Sequence, residues 1–216
     1  RHVASFANYY YLCSTLRLAE LRVEPQQVNG DEGAAKAALT QAVELAQELN
    51  DDTLTVELKT ELAMLPSLHT EERAIPQELW EQLLGQAAEH GATSSQATIL
   101  LEQASQDFGE GLYDDVISKT RQARLLALQQ FGPKQLMDYF SASLILASAH
   151  ERRGDDIDVL DTLLRCKTTL ERELGKPAGE PLKEILDSLH PKWGEERFKQ
   201  ALSGYRQMMR SAGGES

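Results

Sequence analysis

The chain has 216 residues and a formal charge of −12, and 41% of its residues are hydrophobic. This length is enough for one large domain or two small ones with a sizeable core. The acidic balance argues against direct binding to nucleic acid, and no apolar run reaches the ~18–20 residues of a membrane span.

The charge is unevenly distributed along the chain. Residues 31–115 hold eighteen acidic side chains against Lys36, Lys59 and Arg73, a net of −15, so the remainder carries +3. Solvated helix faces and acidic first turns would explain this pattern. The functional alternative is an acidic concave surface that binds a basic segment of a partner.

The two cysteines, Cys13 and Cys166, each lie within an apolar helical stripe. This placement predicts buried thiols rather than a disulfide or a metal pair, which fits a reducing, cytoplasmic compartment. The N-terminus lacks the basic-then-apolar order of a signal peptide, although the start at Arg1 suggests a trimmed chain whose targeting segment is missing.

Apolar periodicity and chain breakers predict about ten helices and no strand. Residues 3–23 form the first predicted helix, and an alanine-rich helix follows Gly30. The segment 50–52, Asn-Asp-Asp, ends that helix and caps the next, which runs to about Leu65. Pro76 then begins a helix that Gly91 closes.

Two further helices follow, separated by the turn at residues 109–111 and ended by Gly132-Pro133. Residues 138–175 read as a helical hairpin with Gly154 in a left-handed corner, because basic residues precede that glycine and three aspartates follow it. A short helix over 181–189, a break at His190-Pro191 and a last helix from Trp193 to about Arg210 complete the prediction.

Glycines at the predicted corners recur at a nearly constant interval. Gly111 and Gly154 are 43 residues apart, and Gly154 and Gly194 are 40 apart. Five hairpins at this period fill the chain, which is typical of a helical solenoid.

The clearest unit reads Leu146-Ala147-(x2)-His150-(x3)-Gly154-(x4)-Val159-(x3)-Leu163-(x2)-Cys166. Its large–small pair, turn glycine and second-helix spacing resemble the tetratricopeptide-repeat family in its longer form of about 40–43 residues, seen in kinesin light chains. Related antiparallel helical repeats, such as those of proteasome-lid subunits, are an alternative.

The resemblance implies an all-α, right-handed superhelical solenoid of about five antiparallel helix pairs. It would form a single domain over 1–211, with capping helices at 178–210 and a disordered tail at 212–216. In such repeats the first helix of each pair lines a peptide groove, which gives these candidates: Leu101, Ser105, Phe108, Leu144, Ser148, Glu151 and Arg152.

The last helix offers a second candidate surface. Four of its residues share one apolar face, namely Phe198, Leu202, Tyr205 and Met209, and basic residues lie elsewhere on it. Covering the open end of the stack is one interpretation. Docking to a partner, or forming a homodimer with a second copy, is the other.

No catalytic motif or cofactor site is predicted. The five histidines share no metal-ligand spacing, and no nucleophile motif is present. The main functional hypothesis is therefore a scaffold that holds a segment of a partner protein. The alternatives are a ligand- or peptide-sensing regulatory domain of a larger protein and a dedicated assembly factor for a multisubunit complex.

Overall fold

The computed structural model describes residues 32–64, 75–129 and 132–213, which are almost entirely helical and include no strand. The all-α class is therefore confirmed for these residues. The predicted helix over 3–23, Cys13, the predicted connection between Leu65 and Ala74, and tail residues 214–216 lie outside them. The chain divides into two compact units, residues 1–99 and 100–216.

The described α-helices are α1 (Glu32–Glu48), α2 (Asp52–Met64), α3 (Gln77–Glu89), α4 (Thr93–Glu110), α5 (Tyr113–Ala127), α6 (Pro133–Arg153), α7 (Asp156–Leu174), α8 (Glu180–Trp193) and α9 (Glu195–Gly213). A short 3₁₀ turn, Lys176–Gly179, leads into α8. The division between the units falls within α4.

In the first unit, small residues let α1 approach α2 closely. Ala38, Ala42 and Ala46 lie one turn apart on one face of α1 and are buried together with Leu58 of α2. A second cluster surrounds Trp80 of α3, whose side chain is 2% exposed. Both helix faces follow from the apolar spacing in the sequence.

The turn between α1 and α2 has the chemistry predicted from the sequence. Asn50 adopts a left-handed conformation with φ of 54°. The Asp51 amide donates to the Ala46 carbonyl at 3.0 Å, and the Asp51 carboxylate accepts a hydrogen bond from the Leu54 amide at 2.9 Å. The first helix is thus closed and the second capped within a few residues.

In the second unit, Gly154 forms the corner between α6 and α7. Its φ of +81° is in the left-handed region, where a side chain would be strained. The Asp155 amide donates to the His150 carbonyl at 2.9 Å, and the Gly154 amide to the Glu151 carbonyl at 3.1 Å. Gly111 closes α4 with the same pattern, so both predicted corners are confirmed.

The predicted break at His190-Pro191 is wrong. Helix α8 continues through Pro191 to Trp193, and Gly194 ends it with φ of +81°. The last turn is held because Trp193 is buried and its Nε1 donates to the Glu151 carboxylate at 2.7 Å. These contacts offset the backbone hydrogen bond that proline removes.

Helix α9 returns to pack against α7 and α8. Helices α9 and α7 approach closely at Gly204 of α9, where an added Cβ would overlap the side chain of Ile157 of α7. Ala201 is buried in the same contact, and the main core of this unit includes Leu160, Leu163 and Cys166 of α7. The helix runs to Gly213, into the segment predicted as a tail.

Candidate functional site

The seven groove residues predicted from the sequence lie on α4 and α6 and differ widely in exposure. Leu101 is 6% exposed, and Phe108 and Leu144 are half-buried. Ser105 and Ser148 are exposed, but each hydroxyl donates to the carbonyl of a leucine four residues earlier, at 3.0 and 2.9 Å. These serines therefore satisfy much of their bonding within their own helices.

The two charged members of that set have different environments. Glu151 accepts hydrogen bonds from Lys192 Nζ and Trp193 Nε1, both at 2.7 Å. Arg152 is exposed on the last turn of α6. Glu151 therefore links α6 to the end of α8, and its assignment to a partner groove stays a prediction.

The four predicted residues of the terminal helix lie partly against their own unit. Phe198, Leu202 and Tyr205 pack on its core, and the Phe198 ring centroid is 5.2 Å from that of His190. Met209 is 44% exposed. The apolar face of α9 is thus largely used within the chain, as a capping helix requires.

A groove of about 720 Å³ lies among α5, α6, α7 and α9, and it includes none of the seven residues predicted on α4 and α6. Tyr205 and Met209 do contribute to it. Its lining residues are Arg121, Arg124, Leu125, Leu128, Tyr139, Asp161, Leu164, Arg165, Thr168, Thr169, Arg172, Tyr205 and Met209. We call this the arginine groove.

The arginine groove runs along α7. The lining positions of α7 extend from Asp161 to Arg172 at steps of three and four residues, which is one face of the helix. At 1.5 Å per residue this face is roughly 16 Å long. Lining positions of α5 from Arg121 to Leu128 span about two turns in the same way.

The floor of the arginine groove is a hydrogen-bonded network around Tyr139. This side chain is 3% exposed, and its hydroxyl accepts a hydrogen bond from Arg124 Nη2 at 3.0 Å. The same hydroxyl is 3.4 Å from Thr169 Oγ1, and Arg124 Cζ lies 5.0 Å from the Tyr139 ring centroid. Arg124 is therefore fixed in place, while its buried Nε finds no acceptor among the described residues.

Cys166 lies close to this floor but is chemically inert. Burial raises the pKa of its thiol to about 11, against the opposing effects of the Ser143 hydrogen bond and the Arg124 charge. The thiol is fully buried and stays protonated at neutral pH, so it lacks the thiolate that a nucleophile or metal ligand needs. The predicted burial of Cys166 is confirmed.

The rim of the arginine groove is positively charged. Arg165 Nε donates to both carboxylate oxygens of Asp161, at 2.7 and 2.8 Å, and this bond raises the pKa of Arg165. Arg121 is exposed and forms no hydrogen bond or ion pair with any described residue. With Arg124 and Arg172, the groove lining holds four guanidinium groups and one carboxylate, and Arg172 also bonds its neighbour Glu173 at 2.6 Å.

Apolar side chains lie between these charges. Leu125 is 67% exposed and Met209 is 44% exposed, while Leu128 and Leu164 are half-buried. Covering such surface contributes about 25 cal/mol per Å². The arginine groove can therefore bind a group that is both anionic and apolar.

A second cluster lies at the α6–α7 corner. Single ligand atoms from His150, Asp155 and Asp158 lie within 4.8 Å of one another, the arrangement that three ligands of a metal ion would have. His150 Nδ1 is 3.3 Å from Asp155 Oδ2, which is also 3.2 Å from Arg153 Nε. The arginine already supplies a positive charge there, so the cluster serves mainly to fix the helix corner.

Sequence reasoning missed the arginine groove because it counted the basic residues only as a regional total. The available signal was the position of each arginine at the edge of an apolar stripe. Arg121 and Arg124 precede Leu125 and Leu128 by one to seven residues, and Arg165 follows Leu164. Which stripe remains uncovered depends on how α5, α7 and α9 pack.

Comparisons with protein-family models, curated proteins and solved structures return no match to this chain. Among the described residues, no helix has the length and apolar character needed to cross a membrane. The site must therefore be interpreted from its own geometry.

Proposed function

We propose that this chain is a non-catalytic, tetratricopeptide-like helical-repeat module that binds a segment of a partner protein in the arginine groove. The observation that carries the proposal is a groove of about 720 Å³ in which exposed Leu125 and Met209 lie among four arginines. Ligand sites combine apolar surface with a few fixed polar groups in this way.

The repeat part of the proposal is supported by contacts between residues about one period apart. Arg153 pairs with Asp114, 39 residues away, and Arg197 with Asp156, 41 away. Glu151 accepts from Lys192 and Trp193, at separations of 41 and 42. Equivalent positions of successive hairpins would meet in this way in a stack of 40–43-residue units.

The dimensions of the groove favour a short segment as its ligand. A face roughly 16 Å long along α7 matches about eleven residues of a helix, or about five residues of an extended chain. A segment of this size can place one or two apolar side chains near Leu125 and Met209 while its backbone stays hydrated.

Site-specific photo-crosslinking in the native source tests this assignment. A photoreactive amino acid replaces Leu125 in the groove, and matched variants carry it at Leu174, which is 56% exposed outside the groove, and at Ser148 on the face predicted from the sequence. We expect one partner segment to be captured from position 125 alone.

The proposal fails if position 174 captures the same peptides as position 125, or if no position captures a protein. Capture from position 148 alone would move the site to the α4–α6 face. Tandem mass spectrometry of the crosslinked peptides identifies the segment in each case.

A further inference from the structure

We infer that the arginine groove selects an acidic segment, with carboxylates on both sides of a large apolar side chain. The inference rests on the function proposed above and names the chemistry of its partner. That chemistry is opposite in charge to the basic partner predicted for the acidic residues 31–115, so the two surfaces would bind different ligands.

Charge complementarity is the first argument. The chain carries −12 overall, yet the groove lining contains one acidic residue, Asp161, and four arginines, namely Arg121, Arg124, Arg165 and Arg172. Guanidinium groups bind carboxylates through two parallel hydrogen bonds, which a lysine ammonium cannot reproduce. Arg121 has no partner among the described residues, so its guanidinium can bind a carboxylate of the ligand without breaking another bond.

The spacing of the arginines gives the ligand a pattern. Arg165 and Arg172 are seven residues apart on α7, which places their backbones roughly 10 Å apart along the helix axis. Carboxylates about three residues apart in an extended chain, or about seven apart in a helix, match that distance. Thr168 and Thr169 lie between them on the groove face, and the half-buried Leu164 lies next to Arg165 and can contact an apolar side chain.

The apolar surface favours a peptide over a nucleic acid. Single-stranded nucleic acids stack on exposed aromatic rings. Of the two tyrosines in the groove lining, Tyr139 is buried with Arg124 over its ring, and Tyr205 is half-buried against the core of the unit. The net charge of −12 repels a nucleic acid, which carries one charge per nucleotide, more strongly than a short segment with two carboxylates. Leu125 and Met209 instead suit aliphatic or aromatic side chains.

The test uses the full chain and a phage-displayed library of random 12-residue peptides. Enriched peptides are synthesised with a fluorescent label, and their dissociation constants are measured by anisotropy. A labelled 12-nucleotide single-stranded DNA is measured in parallel. Three proteins are compared: the wild type, the double variant Arg121→Glu/Arg172→Glu, and the control Lys183→Glu.

The variants are chosen so that the fold is preserved. Arg121 has no described partner, and Arg172 bonds only its neighbour Glu173 among the described residues. Lys183→Glu makes one charge reversal, against two in the double variant, on α8 outside the groove; Lys183 is 58% exposed, and its ion pair with the exposed Glu180 is long, at 3.7 Å. Circular dichroism verifies that all three proteins are equally helical.

We expect the enriched peptides to combine acidic and apolar residues. Their affinity should fall on the order of tenfold or more in the double variant and stay within about twofold in the control. Binding should also weaken between low salt and 0.5 M salt, because exposed charge pairs are screened.

Enrichment of neutral or basic peptides that still require the groove would overturn the inference and leave the proposed function intact. Acidic peptides that bind the double variant as well as the wild type would also overturn it, as would DNA binding lost in that variant. If no peptide binds at all, the inference and the proposed function both fail.

Discussion

The two units of the chain are held together by different contacts. Among residues 32–64 and 75–99, apolar packing dominates, and the side-chain links between helices include Thr53 to the His90 carbonyl and Gln96 to the Ala87 carbonyl, both at 3.1 Å, and His90 to Asp52 at 3.7 Å. In residues 100–213, Arg197 pairs with Asp156 at 2.6 Å and Lys192 with Glu151 at 2.7 Å, in addition to a larger apolar core.

The two units differ in where their charged residues lie and in what those residues contact. In the second unit, some ion pairs join two helices, as Arg197–Asp156 and Lys192–Glu151 do, and others lie within one helix. Arg121, Arg165 and Arg172 form no described ion pair with another helix, so a ligand can bind them without breaking contacts between helices. Substitutions in each unit test this difference.

Trp80→Ala should be the most destabilising change in the first unit. The side chain is 2% exposed, and removing a buried aromatic ring costs about 3–5 kcal/mol. Hydrogen exchange should show the greatest loss of protection in peptides from α3. Its neighbour Leu79 is 37% exposed, so Leu79→Ala should stay within about 0.5 kcal/mol; equal losses would show that α3 is packed on another face.

Gly204→Ala should destabilise the second unit through a steric overlap. An added Cβ would overlap the terminal Cδ1 of Ile157; overpacking costs about 1–3 kcal/mol, of which the helix propensity of alanine offsets about 0.5–1 kcal/mol. Gly109 is the matched control, because a Cβ there meets nothing within 4 Å and its helical position should gain about 0.5–1 kcal/mol with alanine. Urea unfolding of both variants measures the difference, and a neutral Gly204→Ala would mean that α9 and α7 are farther apart.

Arg197→Gln should remove about 1 kcal/mol of stability. The guanidinium bonds both oxygens of Asp156 and lies 4.9 Å from the Trp193 ring centroid, and exposed pairs and cation–π contacts each contribute about 0.5–1 kcal/mol. Arg206→Gln, at an exposed residue with no described partner, is the control. The difference between the variants should shrink in 1 M salt, because salt screens the ion pair. If the difference stays the same, the lost stability comes from packing of the arginine's aliphatic stem.

Two glutamates should respond to pH in opposite directions. Burial raises the pKa of Glu102 above its ordinary 4.5. Burial acts in the same direction on Glu151, but hydrogen bonds from Lys192 and Trp193 and the charges of Lys192 and Arg197 outweigh it and lower the Glu151 pKa.

The raised pKa means that the folded chain binds a proton at Glu102 more tightly than the unfolded chain, so ionised Glu102 destabilises the fold. Glu102→Gln should therefore raise the melting temperature at pH 7. Glu151 contributes stability above about pH 4.5 that is lost as the pH falls through its lowered pKa, so Glu151→Gln should lower the melting temperature at pH 7 and lose its effect in acid. Shifts of the same sign would contradict the assigned environments.

Local chemistry made most helix ends predictable. Asn50 and Asp51 closed one helix and capped the next, Gly154 took the left-handed conformation that its surroundings indicated, and Gly111 formed the predicted turn. Pro191 misled the prediction because a contact 42 residues away, from Trp193 to Glu151, holds the final turn of α8. No local window contains that contact.

The candidate site was less predictable than the helices. Leu125 and Leu128 have the same spacing as core residues, and only the packing of α5 leaves Leu125 67% exposed. The arginines that precede them looked like ordinary solvated charges. To predict a groove, one must know which helix faces remain uncovered. That depends on how three helices pack together and not on the sequence of one helix.

The most direct test of the account is hydrogen exchange of the full chain with and without a peptide selected from the library. Protection should increase in α5, α7 and α9, which line the arginine groove, while α1 to α3 are unchanged. Protection confined to residues 32–64 and 75–99 would contradict the account and assign binding to the acidic region instead.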